Sequence, residues 1–143
     1  MTKRLENKIA IITGAGRGIG RAIALRLAAA GHLVVAAARS REQLEATAAA
    51  APGVVPVVAD VAVEGDIERL GAAAAGLGPL GIWVNNAAVA DRIAFPYLDP
   101  ATWDRVLGIN LRGAFLGCRA AWPLMLRAGG GVIVNIGSLS GMA

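Results

Sequence analysis

The chain has 143 residues, 56% of them apolar and 17% charged, with 14 Lys and Arg against 10 Asp and Glu for a formal net charge of +4. The basic residues are scattered without a block, and aromatics make up only 4%, which argues against a nucleic-acid surface or a base-stacking platform. No apolar run reaches the ~20 residues of a membrane span, the first residues lack the apolar region of a leader, and the lone Cys118 cannot form an internal disulfide, so a cytoplasmic domain is expected.

Ile9-Ala10-Ile11-Ile12 is a continuous apolar run, and residues 8–13 read as a first strand. Thr13-Gly14-Ala15-Gly16-Arg17-Gly18-Ile19-Gly20 follows at once, then a helical pattern over 18–30 that Gly31 ends. A strand, glycine turn and helix in that order aim free N–H groups and the positive end of the helix dipole at whatever fills the turn, which suits a pyrophosphate. A glycine there lets an anion approach the backbone, because no Cβ holds it away. A second strand over 33–38 and a helix over 41–50 come next, then a third strand over 54–59 that closes on Asp60-Val61. Asp60 also stands where it could cap a helix over 64–77. The fourth strand, 82–85, runs into Asn85-Asn86-Ala87-Ala88. Asp99 as N-cap and Pro100 at the first helical position open a long helix over 100–128, which Pro123 is expected to kink or divide. Gly129-Gly130-Gly131 releases the chain into a fifth strand over 132–136, followed by Gly137-Ser138.

Continuous apolar strands alternating with helices predict an α/β fold, a Rossmann-type doubly wound parallel sheet covered on both faces. Its crevice would lie at the carboxyl ends of the strands, where every motif above falls. The alanine tracts fit helices packed closely on a sheet, so a single domain over residues 1–143 is expected, with no repeat and no linker.

Four motifs stand in order along the chain: T-G-x-x-x-G-x-G, Asp60-Val61, Asn85-Asn86-Ala87-Ala88 and Asn135-Ile136-Gly137-Ser138. On these the chain resembles the short-chain dehydrogenase/reductase family from about Lys8 to its last residue, in general pattern nearest to 3-oxoacyl-carrier-protein reductases. The resemblance implies an incomplete NAD(P)-binding Rossmann domain holding five of the family's strands. It implies cofactor contacts from Gly14, Arg17, Gly18, Ile19 and Gly20, an adenine held by Asp60 with Val61 beside it, and a ribose close to Asn86, Ala87 and Ala88. Ala88 replaces the glycine of the family's N-N-A-G, which requires a negative φ there.

After the second strand, a site for NAD would usually present an acidic side chain to the ribose hydroxyls. This sequence has Ala38 there, followed by Arg39-Ser40-Arg41, and the guanidinium groups of Arg39 and Arg41 suit a 2′-phosphate. NADP(H) is therefore the expected cofactor, ahead of NAD, and no metal site is expected. In the family a tyrosine, its pKa lowered by a lysine, protonates the substrate oxygen while a serine holds it. Ser138 matches that serine, and Asn110, in the N-x-x-G-x-F stretch 110–115, matches the residue that carries a water in the proton relay. The family's Y-x-x-x-K pair does not occur within the 143 residues, since Tyr97 is followed four positions on by Ala101. The expectation is an amino-terminal part of an NADP(H)-dependent oxidoreductase of carbonyls or alcohols, without turnover from this stretch alone. A non-catalytic dinucleotide-binding module and a non-functional remnant are the alternatives. The complete protein is expected to be a homo-oligomer acting on a small molecule, with no membrane or nucleic-acid partner. The apolar Val132-Ile133-Val134 is expected to offer an edge for self-association.

Overall fold

The computed structural model describes residues 5 and 7–138. Five strands, Ile9–Thr13 (β1), Val34–Ala38 (β2), Val54–Val58 (β3), Leu80–Asn85 (β4) and Val132–Asn135 (β5), form one all-parallel sheet in the order β3-β2-β1-β4-β5. The chain builds outward from β1 to β3 and then crosses to the other side of β1 for β4, so the strand order reverses between β1 and β4. A crevice opens at such a reversal because the flanking connections leave in opposite directions.

Helices cover both faces. Gly18–Ala29 (α1) and Arg41–Ala49 (α2) bury Ala24 and Leu44 against Ala10, Ile12, Val34, Ala36, Ile82 and Val84. Glu64–Leu77 (α3) and Gly113–Arg127 (α5) bury Ile67, Leu70, Leu116 and Met125 against the alternate strand residues Ile9, Ile11, Val35 and Trp83. Strands with both faces covered need apolar residues at every position, which is why β1 and β2 read as unbroken apolar runs. Pro56 sits in the middle of β3 at no cost to the ladder, because β3 is an edge strand and a missing N–H can face outward.

Three expectations need correction. The fourth strand starts at Leu80 rather than Ile82, since Leu80 pairs with Ile9 ahead of an irregularity in register between Ile9 and Ala10. The long helix is Pro100–Leu107 (α4), a π-helical turn over Gly108–Arg112, and α5, and it changes form at that turn rather than at Pro123. Pro123 lies inside α5 on its exposed side, where water can take over the one hydrogen bond that proline removes. Asp60 does not cap α3: the N-cap is Val63, and Asp60 instead accepts the backbone N–H of Ala62 at 2.9 Å. Asp99 does cap α4, accepting from the Thr102 backbone N–H at 2.8 Å, and the Thr102 hydroxyl donates to the same carboxylate. These bonds hold the Asp99 carboxyl below its ordinary value.

Lys8 ties the far end of the sheet to α5. Its ammonium donates to the carbonyls of Ala128 (2.9 Å) and Gly130 (2.8 Å), closing the C-terminal end of the helix with a positive charge.

Candidate functional site

The site begins with the end of β1. Thr13 is buried, and its hydroxyl donates to the Val84 carbonyl at 3.3 Å while accepting the backbone N–H groups of Asn86 (3.0 Å) and Ala87 (3.1 Å). The Asn86 side chain returns the link, donating to the Thr13 carbonyl at 2.9 Å and to that of Gly14 at 3.4 Å. The glycine turn after β1 and the Asn-Asn loop after β4 are thereby one bonded unit.

That unit has no room for extra atoms. A Cβ on Gly20 would stand 2.2 Å from the Gly14 carbonyl oxygen and 2.4 Å from Asn86 Nδ2, and one on Gly14, at φ +67°, would stand 2.9 Å from the Ala87 Cα. Gly18 differs, since nothing lies within 4 Å of the position of its Cβ and its φ of +55° is what favours glycine. The glycines thus serve close packing within the protein at positions 14 and 20, and backbone conformation at 14 and 18.

Arg17, in extended conformation, is the N-cap of α1, and among the described residues no side chain accepts from the first turn, in contrast to α2, which Ser40 caps through Gln43 N–H at 3.3 Å. The first turn of α1 contains no acidic residue. Its amides are left for an anion.

A cleft of about 670 Å³ opens over this end of the sheet. Gly14, Arg17, Gly18, Ile19 and Gly20 form one wall. Arg39 and Ser40 stand at one end of it, and Asp60 and Val61 line it from the end of β3. Asn86, Ala87 and Ala88 supply the opposite side. Twelve of the thirteen residues singled out for cofactor contact therefore border one space, and Arg41 does not. Ala88 has the negative φ it needs, since Asn7 is the only non-glycine with positive φ among the described residues. Among those residues neither Arg17 nor Arg39 is in an ion pair, whereas Arg41 reaches Glu45 at 3.9 Å.

The Asp60 corner is braced. Its backbone N–H donates to Asp66 at 2.8 Å, and Arg69 donates to Asp66 (2.8 Å) and to the Val58 carbonyl (3.1 Å). The Asp60 N–H and the guanidinium hold the Asp66 carboxyl below its ordinary value, in that order of weight. From the other side Arg112, in the π-helical turn, donates to the Ala62 carbonyl at 2.9 Å.

The two residues singled out for catalysis do not line the cleft. Asn110 is tied to its edge by a double bond pattern to one residue, Oδ1 accepting from Val89 N–H at 2.9 Å and Nδ2 donating to the Val89 carbonyl at 2.8 Å. Ser138 is exposed and follows the carboxyl end of β5, at the same edge of the parallel sheet as the cleft. Sequence reasoning missed Gln43, Val89 and Ile109, which also line the space, and Thr47, which braces it from beneath; it placed Thr13 in the glycine motif but not its bonds to the Asn-Asn loop. Among the described residues there is no cluster of His, Cys, Asp or Glu suited to a metal, and no helix is long and apolar enough to cross a membrane.

Comparison with known proteins agrees with this geometry. The family profile for short chain dehydrogenase matches residues 8–143. A 2-(R)-hydroxypropyl-CoM dehydrogenase of Xanthobacter autotrophicus is 42% identical over 145 residues, spanning 95% of this chain and 58% of the relative. The L-xylulose reductase of Bos taurus is 40% identical over 139 residues, spanning 96% and 56%. Among solved structures, a metagenomic short-chain oxidoreductase in complex with NADP superposes with a TM-score of 0.89 at 35% identity over 98% of this chain and 66% of that one. An actinorhodin polyketide ketoreductase crystallised with NADPH gives 0.91 at 34% identity, over 96% and 56%. The chain thus spans little more than half the length of the curated relatives it matches.

Proposed function

This chain belongs to the short chain dehydrogenase family, and from that premise we propose that it is the dinucleotide-binding portion of an NADP(H)-dependent oxidoreductase acting on a carbonyl or alcohol. The observation that carries the cofactor choice is at the end of β2. Ala38 leaves that corner of the cleft without a carboxylate, and Arg39 beside it is an exposed cation with no ion-pair partner among the described residues. A 2′-phosphate would meet a guanidinium there instead of a repelling charge.

The residues present fit the group. The uncapped first turn of α1 offers amides to the diphosphate, Asp60 faces the cleft at its adenine end, and the packed Gly14–Asn86 junction brings the backbone close to the ribose. When bound, the nicotinamide supplies hydride chemistry. Ser138 would hold the substrate oxygen. The Asn110 side chain is already committed to Val89, so a water held at this residue would be held by its main chain within the π-helical turn.

Titration of NADPH and NADH against the parent chain and Arg39→Ala tests the reading. One well-made charge-assisted contact is worth about 1.5–3 kcal/mol, so the parent should prefer NADPH by about tenfold or more and the variant should lose most of that preference. Equal affinities of the parent for the two cofactors would overturn it.

A further inference from the structure

Thr47 belongs to α2 yet bonds to the glycine turn. It is fully buried, and its hydroxyl lies 3.1 Å from the Ala15 carbonyl and 3.4 Å from that of Gly16, as well as 3.0 Å from the Gln43 carbonyl one turn back in its own helix. The last contact is the ordinary back-bond of a helical threonine. The first two reach across 32 and 31 residues to the turn itself.

A trans peptide is planar, and its C=O and N–H point in opposite directions. The one hydroxyl proton of Thr47 is shared among the carbonyls of Ala15, Gly16 and Gln43. With the carbonyls of Ala15 and Gly16 facing that hydroxyl on α2, the N–H groups of Gly16 and Arg17 point away from that helix. Neither N–H has a backbone acceptor among the described residues, and both residues line the cleft. The same spot adjoins the 2′-phosphate corner: a Cβ on Gly16 would stand 3.5 Å from that of Ala38 and 3.0 Å from Gln43 Cβ. A valine would fill the space of Thr47 equally well, so filling space does not account for the hydroxyl.

We propose that Thr47 is a positioning residue, whose buried hydroxyl orients the Gly16 and Arg17 amides as donors at the end of the cleft beside Ala38 and Arg39. The inference about the ligand rests on the NADP(H) reading above; the orientation of the amides does not.

Thr47→Val removes the hydroxyl at nearly constant shape, and Thr47→Ser keeps it. Residual dipolar couplings of the Gly16 and Arg17 N–H vectors in the ligand-free full chain should change in Thr47→Val and stay with the parent in Thr47→Ser. Loss of one or two such donors should weaken NADPH by about fivefold to tenfold in Thr47→Val, with Thr47→Ser within about twofold of the parent. Unchanged couplings in Thr47→Val would overturn the proposal, and so would changed couplings with unchanged NADPH affinity. A lower melting temperature with both readouts intact would mark Thr47 as merely structural. If the parent binds neither cofactor, the NADP(H) reading falls, and the couplings still decide whether Thr47 orients the turn.

Discussion

The two sides of the sheet differ in how deeply their strands are buried among the described residues. On the side of β1 and β2, every β1 residue and the first four of β2 are buried, and the turn, the Asn-Asn loop and α2 are joined by Thr13, Asn86 and Thr47. On the side of β5, three of its four residues are exposed, Val132 at 44% and Val134 at 38%. The long helix carries an exposed apolar stripe, Trp103, Leu107, Leu111 and Phe115, spaced every fourth residue, with Trp122 and Leu126 beyond. The nucleotide side encloses its own polar groups and its own cleft within these residues. Among the described residues the β5 side offers apolar surface and an edge strand, so substitutions in the two regions should act on different observables.

The largest effect is expected at the packed junction of the nucleotide side. Gly20→Ala would drive a methyl against the Gly14 carbonyl and Asn86, contacts at 2.2 and 2.4 Å that backbone cannot relieve cheaply. A loss of about 3 kcal/mol in unfolding free energy is expected by denaturant titration. Gly18→Ala, with open space but φ +55°, should cost only about 1 kcal/mol. Equal costs for the two would mean that conformation, not packing, governs the turn.

Next comes the seam between the regions. Asn85 is buried on β4, accepts the Trp83 indole N–H at 2.7 Å, and donates to Asn135 Oδ1 (2.8 Å) and the Ala114 carbonyl (3.3 Å). Asn85→Ala strands the buried Trp83 N–H and should cost about 2 kcal/mol, loosening β5 more than β1. Amide exchange resolved by strand would check this, and uniform loosening would show that the two regions unfold as one.

The seam also shows what could be read from sequence and what could not. Gly14 to Gly20, the strands and the capped start of α4 are local signals, carried by neighbours in the chain. The family motifs extended that reading to Asp60 and Asn86. Thr13 stood in the glycine motif, but its bonds to partners 71 to 74 positions away were not legible there. Thr47 and Gly117 carried no signal at all, because the turn carbonyls beside Thr47 lie 31 and 32 positions away and Gly117 sits at the helix–sheet contact, where a Cβ would stand 2.2 Å from Asn85 Oδ1. The π-helical turn was equally hidden: Gly108 and Asn110 are weak helix formers, but nothing in residues 108–112 specifies a π turn, and the bonds of Asn110 and Arg112 reach outside the helix, to Val89 and Ala62. Pro123 misled because propensity weighs the lost bond without knowing that it faces solvent.

The β5 side is tested by association. Sedimentation of the parent at rising concentration should show self-association, and Val134→Lys should reduce it while changing stability by no more than about 0.5 kcal/mol, as for an exposed residue. A parent that stays monomeric at high concentration would show that the edge strand and apolar stripe are tolerated in water.

The smallest expected effect is on acid stability, and it again separates the regions. Asp66 braces the Asp60 corner of the cleft and Asp99 caps α4, and both carboxyls titrate below their ordinary value in the folded chain. A depressed folded pKa means that the unfolded chain binds protons first as pH falls. The stabilisation is therefore complete above the ordinary carboxylate range of about 4 and disappears as pH drops through the folded values. Melting temperature measured from neutral pH down should fall less steeply below pH about 4 in Asp66→Ala and in Asp99→Ala than in the parent. The two variants should differ in ligand binding, since only Asp66 holds a wall of the cleft: NADPH affinity should drop in Asp66→Ala and hold in Asp99→Ala. A drop in both would mean that the cap on α4 reaches the nucleotide side through the π-helical turn and Arg112, and the two regions would then be coupled rather than separate.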